Sequence, residues 1–207
     1  MKNLVISLAL MVIAIILSGC PKPCIEANYS FAVNSQIIPD LDSIKVGDTI
    51  FLFSSFPTSL KDQRTGQTVD YSNSTGIGNT LSVSELPQGD TIAKDAVIDF
   101  DYISINGRIY NDRNIPSPDR VQQITYQESN GNYTLKVGLI AKHIGKYILG
   151  LGDGLSNGRK KSHSCEKASF GVSISDTNQH FYLIKNWKPD IIINDFGKRH
   201  GYAFKVY

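Results

Sequence analysis

The chain has 207 residues, 21 basic and 19 acidic side chains, a formal net charge of +2, 4 histidines and 3 cysteines. So balanced a charge gives no electrostatic reason to expect nucleic-acid binding, which needs a basic face. The length fits one domain, or two small ones, with a core that needs no metal staples, and the absence of repeats, low-complexity tracts and heptads removes solenoids and coiled coils.

Met1-Lys2-Asn3 is a short basic start, and Leu4 to Leu17 is apolar apart from Ser7. That run is shorter than the ~20 apolar residues of a spanning helix and reads as a secretory signal, with an uncleaved anchor helix as the other reading. The run ends in Leu17-Ser18-Gly19-Cys20, which resembles the lipobox of bacterial lipoproteins. The resemblance implies cleavage before Cys20 and lipid on that cysteine, so residues 1–19 are a signal peptide and 20–27 an anchor and short tether. Residues 28–207 are then a single β-rich domain with a possible subdivision near 150. Removing the signal removes only Lys2 and takes the net charge to +1. Pro21-Lys22-Pro23 makes a stiff exit from the membrane.

With Cys20 lipidated, Cys24 and Cys165 remain as an even pair in an oxidising compartment. A disulfide between them closes most of the mature chain into one loop, a contribution of roughly 4–5 kcal/mol by the chain-entropy model. Two independent buried or reactive thiols are the other reading.

From Tyr29 onward the pattern has period two, the signature of half-buried strands. Tyr29, Phe31 and Val33 alternate with Ser30 and Ala32, and Val46-Gly47-Asp48 signals a turn. Ile50-Phe51-Leu52-Phe53 is apolar on both faces, as a central strand should be. Leu81, Val83 and Glu85 alternate with serines, and Ala96 to Ile105 is a longer strand candidate. Tyr133, Leu135, Val137 and Leu139 give the clearest alternation; Tyr147, Leu149 and Leu151 continue it after Gly145. Phe170, Val172 and Ile174, then Tyr202, Phe204 and Val206, close the series. Thr177 to Lys188 is the best helical candidate, capped at Asp176 or Thr177 and stopped by Pro189, with a strand as the other reading. The expected fold is mainly β: an antiparallel immunoglobulin-like β-sandwich with a C-terminal extension holding at most one short helix.

Leu41 to Leu52 resembles the second strand pair of bacterial immunoglobulin-like domains, and Tyr133 to Leu149 resembles their closing hairpin. After Gly150 the chain departs from that pattern with an extra tail of roughly fifty residues beyond a ~100-residue domain. As a whole it resembles the small envelope lipoproteins of Bacteroidota, which implies a lineage rather than an activity.

Two stretches stand out as long loops. Residues 106–120 carry Arg108, Arg113, Arg120, Pro116 and Pro118; residues 150–167 run from glycine-rich to basic at Arg159-Lys160-Lys161 and end past Cys165. Loops of this length are functional or else solvated and mobile.

Chemistry-bearing clusters are sparse. Asp99 and Asp101, at i and i+2, face one side of a strand about 7 Å apart, a spacing that suits paired carboxylates or a cation but also a wet strand face. Asp40 and Asp42 have the same standing in a loop. His143, His163, His180 and His200 are scattered without zinc spacing. No Gly-x-Ser-x-Gly elbow or phosphate loop occurs. Most of the ten tyrosines and nine phenylalanines read as core, and Trp187 as packing or an exposed contact. Asp42-Ser43-Ile44, Asp48-Thr49-Ile50 and Asp90-Thr91-Ile92 resemble the O-glycosylation signal of Bacteroidota, which implies Ser43, Thr49 and Thr91 as acceptors.

These residues lead to an expectation of a non-enzymatic envelope lipoprotein, a binding or structural accessory without catalytic residues, metal or cofactor. Its partners are the membrane, through lipid on Cys20, and an envelope protein or glycan. The alternative is a carbohydrate-active or inhibitory module using loops 106–120 and 150–167. The expected location is the outer membrane, its periplasmic face favoured over the cell surface because no acidic run follows Cys20.

Overall fold

The structure is a computed structural model and describes residues 27–86, 92–112, 120–156, 158–159, 166–174, 180–183 and 201–207. Cys20, Cys24, Thr91, His163, Cys165, Trp187 and His200 lie outside these residues.

Alternation in the sequence becomes alternation in burial. β1 (Tyr29–Ile38) buries Phe31, Val33, Ser35 and Ile37 and exposes the residues between. β2 (Ser43–Ile44) leads through the turn at Gly47 into β3 (Thr49–Pro57), where Ile50 and Leu52 are fully buried. Phe51 points outward and is covered by the Lys136 ammonium, 5.0 Å from its ring centre. β4 (Ser59–Lys61) and β5 (Thr68–Asp70) form a hairpin, followed by β6 (Ser74–Thr75), β7 (Gly78–Glu85) and β8 (Lys94–Asp95). β9 (Phe100–Asn106) passes through Gly107 into β10 (Arg108–Tyr110), and β11 (Val121–Thr125) and β12 (Gln127–Ser129) follow. β13 (Asn132–Ala141) and β14 (Gly145–Gly152) are the strands with the clearest sequence pattern; every residue that pattern sends inward is at most 1% exposed. β15 (Gly154–Leu155), β16 (Gly158–Arg159), β17 (Ala168–Ile174) and β18 (Gly201–Val206) complete the described strands.

The fold is mainly β and sandwich-like, as expected. One seven-stranded sheet runs β12-β13-β3-β1-β17-β15, with β9 also on β13; the other runs β10-β11-β7-β14-β18-β2, with β8 also on β7. Their inner faces enclose two aromatic groups. Phe31, Tyr71 and Phe170 meet with ring centres 5.2–5.9 Å apart near one end. Phe100, Tyr147 and Phe204 meet at 5.0–5.9 Å near the other. Each fully buried ring is worth roughly 1.5–3 kcal/mol.

The structure differs from the sequence reading in two places. The sheets are not wholly antiparallel: β1 pairs with β17, and β18 with β2, in parallel. These pairings arise because strands beyond Gly150 enter both sheets beside strands from the start of the domain. Ala96 to Ile105 is not one strand: Val97–Asp99 is a 3-10 turn, and extended backbone begins at Phe100. Of the helical candidate Thr177 to Lys188 only residues 180–183 are described, with a 3-10 turn at Phe181–Leu183, and the rest lies outside the described residues. No helix among the described residues is long and apolar enough to cross a membrane.

Two of the crossings between sheets turn on a glycine held against another strand's backbone. Gly107, at φ 72°, joins β9 of the first sheet to β10 of the second; a Cβ there would overlap the Thr125 carbonyl. Gly154 takes the chain from β14 of the second sheet into β15 of the first, and its Cβ would overlap the Gly78 carbonyl. Both glycines abut the paired residues Thr125 and Gly78, and the second crossing builds the groove described next.

Candidate binding groove

Beside the β14–β15 crossing lies a concave space of about 300 Å³. Strand register builds its floor. Tyr110 on β10 stands opposite Gln123 on β11, Gln123 opposite Thr80 on β7, and Thr80 opposite Gly152 on β14. These four residues form one cross-strand row on the outer face of the second sheet, while Leu81 and Ile124 point into the core. A second row, Arg108, Thr125 and Gly78, runs beside it. Asp153, Gly154 and Leu155 leave the sheet plane as the chain changes sheets and form the wall.

Glycine at 152 leaves room for the Thr80 hydroxyl, which a Cβ there would force to turn away. Tyr110 is 38% exposed, and the Arg108 guanidinium lies over its ring, 5.6 Å from the centre. One Asp153 oxygen accepts from the Val172 amide at 3.3 Å, which holds the wall to β17.

Behind the groove, the buried Asn79 amide fixes the crossing by donating to the carbonyls of Gly152, at 3.1 Å, and Phe170, at 3.2 Å. Its oxygen accepts the Tyr126 hydroxyl at 3.1 Å. Burial pushes the Tyr126 phenol up to about 12, so it remains a hydrogen-bond donor across the ordinary pH range.

Loops 106–120 and 150–167 therefore converge on one groove, through Tyr110 and through Asp153 to Leu155. Parts of both stretches are strand rather than loop, since β10, β15 and β16 lie within them. Tyr110, Gln123 and Thr80 were not distinguished in the sequence. Outward positions on adjacent strands carry such a signal only once register is known.

The other sequence candidates stand elsewhere. Asp99 and Asp101 do not share a strand face: Asp99 closes the 3-10 turn, and Asp101 on β9 pairs with the Lys142 ammonium at 3.3 Å. Asp40 and Asp42 diverge to different partners. Asp40 accepts from the Tyr202 hydroxyl at 3.0 Å and lies 3.3 Å from His180 Nε2. His180 Nδ1 lies 3.2 Å from the Ala203 carbonyl, so both ring nitrogens face oxygen acceptors. Asp42 accepts from the Ser43 and Tyr182 hydroxyls, which lower its pKa, the Tyr182 bond foremost. This cluster fastens residues 180–183 over β18. His143 is exposed, and its carbonyl accepts the Tyr147 hydroxyl. Ser43 and Thr49 are half-buried at strand starts. Among the described residues no three His, Cys, Asp or Glu side chains gather as a metal site.

No protein-family profile matches the chain, and no curated protein is significantly similar to it. Among solved structures, it is similar to the reeler domain of human F-spondin at 13% identity and a TM-score of 0.35, over 74% of this chain and 93% of that one.

Proposed function

We propose that this protein is a lipid-tethered, non-enzymatic binding module of the cell envelope and that its ligand sits in the groove between β10 and the β14–β15 crossing. The observation that carries this reading is the convergence of two separate loop regions on one concave, polar-walled space.

The tether belongs to the same reading. Leu17-Ser18-Gly19-Cys20 supports lipid on Cys20. The Asn28 amide donates to the Lys167 carbonyl at 2.8 Å, and Tyr29 pairs with Ala168, so the chain enters the sandwich there. Phe170 pairs with both Phe31 and Gly154, which puts the groove wall two residues along from that entry. Residues 20–27 span at most about 25 Å. The groove thus stands at the membrane-proximal end, within reach of ligands close to the bilayer.

A photo-cross-linking residue placed at Leu155, with Lys45 as control, tests the reading in intact cells. Adducts from position 155 but not from 45 are expected; equal yields from both, or none from either, would sink it. Protease treatment of intact and lysed cells tests the periplasmic face, for which protection until lysis is expected.

A further inference from the structure

We infer that the groove takes a neutral saccharide of one or two rings, with Tyr110 as its stacking platform and Asp153, Gln123 and Thr80 as its hydroxyl partners. This inference rests on the binding-module reading and names the ligand class. A sugar ring presents an apolar C–H face and a rim of hydroxyls, so it calls for one aromatic surface and several short polar groups. The Tyr110-Gln123-Thr80 row, flanked by Asp153, supplies that combination.

Charge narrows the class. Among the described residues the groove lining carries one charged side chain, Asp153, whose carboxylate would repel phosphates, uronates and other anions. The Arg108 guanidinium over the Tyr110 ring offsets that charge, so the groove has no net preference for an ion of either sign. An uncharged ligand rich in hydroxyls remains. Asp153 has one oxygen on the Val172 amide, and a carboxylate holds about four lone-pair positions, so it retains acceptor capacity for hydroxyl donors.

Shape narrows it further. A volume of about 300 Å³ lies at the small end of ligand sites and suits one or two sugar rings. The floor is a sheet face whose backbone groups already pair along β11, β7 and β14, so an extended peptide cannot add here as a strand.

The test uses the full-length lipoprotein in a zwitterionic detergent free of sugar. Saturation-transfer NMR and calorimetry are run with the methyl β-glycosides of glucose, galactose, mannose and N-acetylglucosamine, and with cellobiose, lactose and chitobiose. At least one probe is expected to bind, and Y110A and D153N should each weaken it tenfold or more at unchanged urea midpoint, whereas Y110F keeps most of the affinity. Failure of every probe to bind, or equal binding by all variants, overturns the inference. If probes fail while position 155 still cross-links selectively in cells, the groove reading stands and the saccharide class falls; if both fail, both fall.

Discussion

Asn79 and Phe170 belong to different sheets, yet the Asn79 side-chain amide donates to the Phe170 carbonyl at 3.2 Å. The same amide reaches Gly152, and its oxygen takes the Tyr126 hydroxyl, so three core polar groups depend on one side chain. An unsatisfied buried group costs about 1–3 kcal/mol. N79A should therefore destabilise the domain by about 3 kcal/mol, read as a lower urea midpoint at unchanged slope. A loss below about 1 kcal/mol would show that water replaces the amide.

The β14–β15 crossing gives a second expectation. Gly154 packs its backbone against the Gly78 carbonyl, and G154A inserts a methyl where neither backbone can yield cheaply. Overpacking of this kind costs about 1–3 kcal/mol, whereas L155A, at an exposed neighbour, should cost little. Because the groove wall begins at this residue, G154A should also weaken ligand binding. Equal thermal midpoints for G154A and wild type would mean that the crossing tolerates a shift.

Asp62 predicts acid behaviour. Its side chain is 1% exposed and accepts the Ser30 amide at 2.9 Å, the Thr65 hydroxyl at 2.8 Å and the Arg64 amide at 3.4 Å. These bonds, the Ser30 amide foremost, hold its pKa below the ordinary 3.8. The folded state thus binds this proton less readily than the unfolded chain does. Its stabilising contribution is fully present above about pH 4–5 and fades as pH falls through the folded value. D62N should lie below wild type in urea midpoint at pH 7, and the gap should narrow toward pH 3. A gap constant over that range would refute the assignment.

Strands with one clean apolar stripe were legible because period two maps directly onto burial: Leu135, Val137 and Leu139 on β13 and Phe170, Val172 and Ile174 on β17 are all buried. Parallel pairing was not legible, since alternation says which face a residue occupies and nothing about the direction of its neighbour. Asp99 misled for a related reason: a 3-10 turn of three residues leaves too short a pattern to separate from extended chain. For the groove, loop length pointed to the two regions, but Gln123 and Thr80 became visible only when register set them beside Tyr110.

The same parallel pairing bears on Cys24 and Cys165. Asn28 donates to the Lys167 carbonyl, and β1 and β17 run onward side by side, so both chains approach this end from the same direction. Cys24 lies four residues before Asn28, and Cys165 two before Lys167. At about 3.5 Å per residue, these lengths let the two sulfurs meet without disturbing either strand. We therefore expect the mature lipoprotein to take up no alkylating group before reduction and two after it, with Cys20 blocked by lipid. The C24S/C165S double variant should lose about 4 kcal/mol, because the loop it opens spans most of the domain. Two alkylations without reduction would leave the cysteines as separate thiols and the entry end held only by the β1–β17 pairing.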